Sequence, residues 1–191
     1  MIKKPRLNPM QDGNMIAFDW RLAQAGSDYY LTARFAMKAQ RFVSGNLFHQ
    51  AVEMFLKSGL ANKGHTETEL KRWGHSLDKL WQAFKTDYPD QALVRHDTTI
   101  SSLDKFEDIR YPPDHSLAIT LQWDEPTYPS QLPANTKLYT LVVGDSDALV
   151  ADILATTEWN TGLLFKGVNL AMLDALTFLN EQKDYLRKVV A

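Results

Sequence analysis

The chain contains no cysteine, which excludes disulfide bridges, zinc–thiolate centres and thiol nucleophiles. It has no run of about 18 apolar residues, the length a membrane-spanning helix requires. Neither sign of charge dominates: 21 lysines and arginines stand against 23 aspartates and glutamates, a formal charge of −2. A polyanion must therefore be met by a local basic patch, because the field of the whole protein does not attract one. There is no glycine-rich phosphate loop. "VVGDSD" (142–147) joins a strand-like segment to a helical one, but its acids would repel phosphate and read instead as helix N-caps. His49, His65 and His96 lack metal-ligand spacing, and His96, one turn from Leu93 and Ile100, reads as a core histidine. No metal and no cofactor are expected. Lys3, Lys4 and Arg6 are followed by no apolar run of the kind a signal peptide carries, so a cytoplasmic location is expected.

What is present fits one soluble domain. The 191 residues suffice for a sizeable core, and 45% hydrophobic with 23% charged residues is an ordinary globular balance. Residues 1–26, broken by Pro5, Pro9, Gly13 and Gly26, read as an N-terminal arm with a short turn near Ile16–Trp20. A single domain over 27–191 follows. Ser27 or Asp28 can cap a helix running to about Val43, with Tyr29, Ala33, Ala36, Ala39 or Gln40, and Val43 near one face. Gly45 and Asn46 punctuate, and Asn46 can cap the cleanest helix of the chain. There Phe48, Ala51, Val52, Phe55, Leu56, Gly59 and Leu60 recur at helical spacing, and Gly64 can end it. Glu53 and Lys57 form an i,i+4 pair worth a few tenths of a kcal/mol on a solvated face.

A third helix is expected from Ser76, carrying Leu77, Leu80, Trp81 and Phe84, and stopped by Tyr88-Pro89. A fourth runs over about 90–108, burying Leu93, Ile100 and Leu103. Five prolines between 112 and 133 then forbid helix over much of that span. Within it "SLAITLQW" alternates as a half-buried strand, and "KLYTLVV" (137–143) is a second. The two are expected to form an antiparallel β-hairpin inserted at about 114–143. Helices over about 147–157 and 167–188 complete a mainly α fold: an up-and-down bundle of four to five helices with a hairpin insertion.

Three segments carry a resemblance. "HQAVEMFLKSGLANKG", "GHSLDKLW" and "FEDIRYP" together resemble the HEPN domain (higher eukaryotes and prokaryotes nucleotide-binding), in particular the prokaryotic branch found beside minimal nucleotidyltransferases. The second-helix pattern of that branch is matched by Gln50, Ala51, Glu53, Leu56, Lys57 and Leu60. Its H-x-L is matched by His75 and Leu77, and its R-Y-P by Arg110, Tyr111 and Pro112. The likeness covers roughly residues 28–112. It implies a helical bundle, commonly a homodimer, that binds a nucleotide, RNA or a nucleotidyltransferase-type partner protein. Other branches cleave RNA without metal, as some toxin–antitoxin systems do.

Arg110 and His115 have the Arg-x4-6-His spacing of those ribonucleases, but Pro112-Pro113 lies between them. Extended polyproline geometry separates the two Cα atoms by roughly 15 Å, against about 7.5 Å on a helix. The ribonuclease arrangement is broken, and no catalytic residue is assigned. The expected binding residues are Lys57, Lys71, Arg72, Trp73, His75, Arg110 and Tyr111. Lys71, Arg72, Trp73 and His75 precede a helix N-terminus, a ready anion site where Trp73 could stack a base. Alternatively Trp73 packs under the turn, His75 caps the helix and the two cations are solvated. Arg110 either shares a groove with His75 and Lys57 or makes a structural bridge to Glu53 or Asp108. Three functions stay open: a non-catalytic binding module, a toxin-type ribonuclease, and an interaction protein that docks or dimerises through its inserted strands.

Overall fold

A computed structural model describes residues 18–39, 41–110, 116–123, 131–159 and 164. The expected arm up to residue 17, Tyr111, His115 and the helix over 167–188 lie outside these residues. Among the described residues the chain is mainly helical, with one two-stranded sheet.

Helix α1 (Phe18–Lys38) begins ahead of the expected cap at Ser27. Ser27 sits inside it, and its hydroxyl donates to the Ala23 carbonyl one turn back. The buried face is Ala23, Gly26, Ser27, Tyr30, Ala33, Arg34 and Met37; of the expected row Ala33 is on it, whereas Tyr29 and Val43 are exposed and Ala36 is half-buried. The buried residues recur every three or four positions, but most are small or polar, so a search for large apolar side chains misses the stripe.

Helix α2 (Val43–Asn62) is the central element and packs along α1, α4, α5 and α6. Its expected apolar positions, from Phe48 to Leu60, are all buried. Gly45 lies within the helix and does not punctuate it. A Cβ there would fall 2.1 Å from Cδ1 of Phe106, so the glycine is a notch that receives that ring. Asn46 does not cap the helix either; its side-chain amide donates to the Phe106 carbonyl.

Helix α3 (Glu67–Trp73) was not expected. Its capping box is complete, with Thr66 accepting from the Glu69 N–H while the Glu69 carboxylate accepts from Thr66. Helix α4 (Leu77–Asp87) starts from Ser76 as the sequence predicts and buries Leu77, Leu80, Trp81 and Phe84. The expected fourth helix is a chain of tighter pieces: a 3-10 turn Gln91–His96, helix α5 (Asp97–Asp104) and a second 3-10 turn Lys105–Arg110. It still buries Leu93, Ile100, Leu103 and Phe106.

Strands β1 (Leu117–Gln122) and β2 (Lys137–Val142) pair in parallel, from Leu117 opposite Lys137 to Gln122 opposite Val142. The antiparallel expectation is corrected here. A parallel pair needs a connection that runs back along the sheet. Residues 123–136 supply a link of roughly 45 Å when extended, ample for a strand of about 20 Å. The Lys137 N–H to Ser116 and the Gly144 N–H to Trp123 carry the pairing past both ends of the strands. Helix α6 (Val143–Thr156) follows β2 directly, starting before the expected Asp147. Asp147 is no cap: it accepts from Tyr30 Oη at 2.6 Å and from the buried Arg34 guanidinium of α1. Arg34 also lies 5.0 Å from the ring of Trp123. Burial, then the Asp147 charge and hydrogen bond, push the Tyr30 phenol well above its usual range. No helix among the described residues is long and apolar enough to cross a membrane.

Two aspartates latch the segment after α4. Asp97 accepts from Lys85 Nζ (2.7 Å) and Trp81 Nε1 (2.6 Å), which lower its pKa in that order. At Asp152, burial acts upward but is outweighed by hydrogen bonds from His96 and Arg95. Carboxyls depressed on folding contribute stability that is complete above the unfolded value, about 3.9, and lost as pH falls through the folded one. Urea midpoints measured through the acid range should therefore fall less steeply below about pH 4 in Asp97→Asn and Asp152→Asn than in the wild type, with parallel curves above about pH 5.

Candidate functional site

Asn46, His49, Gln50, Glu53 and Lys57 recur on α2 at i, i+3, i+4, i+7 and i+11, a polar row beside the apolar one. Helical spacing alone makes this a solvated face. In the fold it is covered, and both His49 and Glu53 are wholly buried.

Glu53 is the hub. Its Oε1 accepts from Lys57 Nζ at 2.6 Å, and both its oxygens lie 3.1 Å from His75 Nδ1. Its Oε2 lies 3.7 Å from His49 Nε2. The surface pair expected from Glu53–Lys57 spacing is thus a buried pair, with Lys57 only 11% exposed along its side chain. A carboxylate taken out of water costs several kcal/mol, and only close, well-oriented donors offset it. His75 is delivered by the turn between α3 and α4, where Gly74 takes φ of 64°, a conformation that favours glycine. The His75 side chain remains 53% exposed while its Nδ1 is held from inside.

The network reaches the end of the α5 segment. His49 Nε2 lies 3.5 Å from Glu107 Oε2, and the same Glu107 oxygen accepts from Arg110 at 2.8 Å. Lys57, His75 and Arg110 are therefore gathered along one path of charged groups. Arg110 makes its bridge to Glu107, not to the expected Glu53 or Asp108.

The remaining candidates stand apart from this path. Lys71 pairs with Glu67 one turn back on α3, both exposed, and Arg72 is exposed on the same short helix. Trp73 is half-buried and packs edge-on against His65 at 5.2 Å, and His65 is itself bonded to Asp87. At the start of α4 the Leu77 N–H donates to Asp104 at 2.6 Å, the Lys79 N–H to Ser76 Oγ and the Leu80 N–H to the Ser76 carbonyl. A carboxylate thus occupies the position where the sequence suggested an incoming anion. His75 faces the α2 carboxylate and does not cap its helix.

No protein-family model, curated protein or solved structure matches the chain. The site therefore has to be read from its own chemistry.

Among the described residues no group of histidines and acids could hold a metal ion. What the site offers is a lysine, a histidine and an arginine, each fixed by a carboxylate, with His75 and Arg110 partly exposed. A separate pocket of about 110 Å³ lies between α5, β2 and the start of α6, lined by Thr98, Thr99, Ser102 and Thr140; it contains none of the expected residues. His49 and Glu107 are the members that sequence reasoning passed over. The available signal was the His49–Glu53–Lys57 run at successive i,i+4 positions on a helix otherwise rich in apolar residues.

Glu53→Gln preserves shape and removes the hub charge, leaving the buried Lys57 ammonium uncompensated. Urea denaturation should show a loss of about 3 kcal/mol. The exposed Glu67→Gln should leave the urea midpoint unchanged.

Proposed function

We propose that the protein is a non-catalytic, HEPN-like binding module whose ligand is anionic: a nucleotide, or RNA offered directly or on a nucleotidyltransferase-type partner. The observation that carries this reading is the placement of Lys57 and His75 on Glu53 and of Arg110 on Glu107, with His49 between the two carboxylates. These residues come from the three separate segments that resemble the HEPN pattern, and one row of neighbouring polar and charged groups, 3.7 Å apart at its widest step, contains all of them.

The chemistry supports binding over turnover. The Lys57 ammonium and His75 Nδ1 are both engaged by Glu53, which fixes donors in place before a ligand arrives. Preorganised donors favour affinity because less side-chain freedom is lost on association. Arg110, partly exposed, adds a planar guanidinium suited to phosphate oxygens. Recognition runs through phosphate more than through base, since Trp73 is occupied against His65. The bundle acts as a homodimer in this reading, as the resemblance implies.

Thermal unfolding with a panel of nucleoside mono-, di- and triphosphates and a short single-stranded RNA tests the proposal. At millimolar ligand at least one should raise Tm by about 2 °C or more, with the shift lost in His75→Ala and reduced in Arg110→Ala. No shift with any of them in the wild type contradicts it.

A further inference from the structure

Two buried atoms of the α2 polar row have no hydrogen-bond partner, Nε2 of Gln50 and Nε2 of His49. His49 Nδ1 donates to the Leu103 carbonyl at 3.0 Å, since a carbonyl can only accept. Its Nε2 is buried without a hydrogen bond. That atom stands between two carboxylates, 3.7 Å from Glu53 and 3.5 Å from Glu107, slightly too far to bond either. Buried polar atoms left unpaired are uncommon and each asks for an explanation. The two carboxylates are also the ones that hold the donors of the site: Glu53 holds Lys57 and His75, and Glu107 holds Arg110.

We propose that His49 is a positioning residue that couples Glu53 to Glu107, so that the Lys57–His75 end and the Arg110 end respond to an anion as one unit. The proposal rests on the binding reading above and specifies its ligand: an anion with at least two charged groups, such as a diphosphate or a stretch of phosphodiester backbone. With Nδ1–H held by Leu103, Nε2 can bond a carboxylate only as the second N–H of an imidazolium ring; in that form a ring movement of about half an ångström completes a bond to one carboxylate and withdraws from the other. When a ligand draws Arg110 from Glu107, Glu107 takes up His49. Glu53 is then left to Lys57 and His75 alone and holds them more firmly. His49 needs no contact with the ligand to do this. Its buried ring reads the charge balance at one end and transmits it to the other through a two-position contact.

The test is a set of double-mutant cycles on stability, which needs no ligand and so stands whether or not a nucleotide binds. His75→Ala, Arg110→Ala and the double variant are unfolded in urea in three backgrounds: wild type, His49→Gln and His49→Asn. The glutamine amide nitrogen overlays the Nε2 position, and that of asparagine overlays Nδ1. The two substitutions should be non-additive by about fivefold in the unfolding equilibrium constant in the wild type. That coupling should persist with glutamine and vanish with asparagine, which keeps only the Leu103 bond. Additivity in the wild type overturns the proposal. So does coupling that survives undiminished with asparagine, or a glutamine background as additive as the asparagine one. Should the glutamine variant not fold, the contrast between wild type and asparagine decides.

Discussion

The burial of one carboxylate organises this molecule. Glu53 sits at the middle of the central helix with no exposed surface, where a carboxylate is tolerated only with close, well-oriented donors. Those donors come from different parts of the chain: Lys57 from the same helix and His75 from the turn before α4. His49 extends the contact to the segment after α5 through Glu107 and the Leu103 carbonyl. Each of these segments must dock on α2 at one particular height for the charge to be met. Apolar packing alone tolerates sliding, whereas a buried ion pair does not, so the polar row fixes what the hydrophobic face leaves adjustable.

The apolar side of α2 works with the same segments. Phe106 fills the notch at Gly45, and the Asn46 amide holds the Phe106 carbonyl beside it. That places Glu107, the next residue, over His49. A second buried pair, Arg34 with Asp147, ties α1 to the start of α6, with Trp123 from the end of β1 alongside Arg34. The fold thus joins its helical body to its small sheet through charge as well as through hydrophobic contact.

Local patterns were legible where large apolar side chains mark a face. The stripe from Phe48 to Leu60 and the cap at Ser76 could be read from spacing and side-chain chemistry. The start of α1 could not, because its buried face is built from alanine, glycine, serine and an arginine whose partner lies over a hundred residues away. Strand content was legible but strand direction was not, since alternation reports which face is buried and says nothing of how the link returns. The site divides in the same way. Lys57, His75 and Arg110 could be named from motifs. The buried roles of His49, Glu53 and Glu107 could not, because a His-Glu-Lys run at i,i+4 spacing has the same appearance on a solvated face. Trp73 shows the converse: it sits among basic residues, yet its ring is taken by His65.

On the proposed reading Glu53, a residue with no exposed surface, governs the groups that an anionic ligand meets. Calorimetric titration of a nucleoside triphosphate into wild-type, Glu53→Gln and His75→Ala proteins, each first shown to be folded at the temperature used, tests it most directly. Glu53→Gln should lose affinity as severely as His75→Ala, by about tenfold or more, although Glu53 has no exposed surface. A folded Glu53→Gln protein that binds the triphosphate as the wild type does would contradict it.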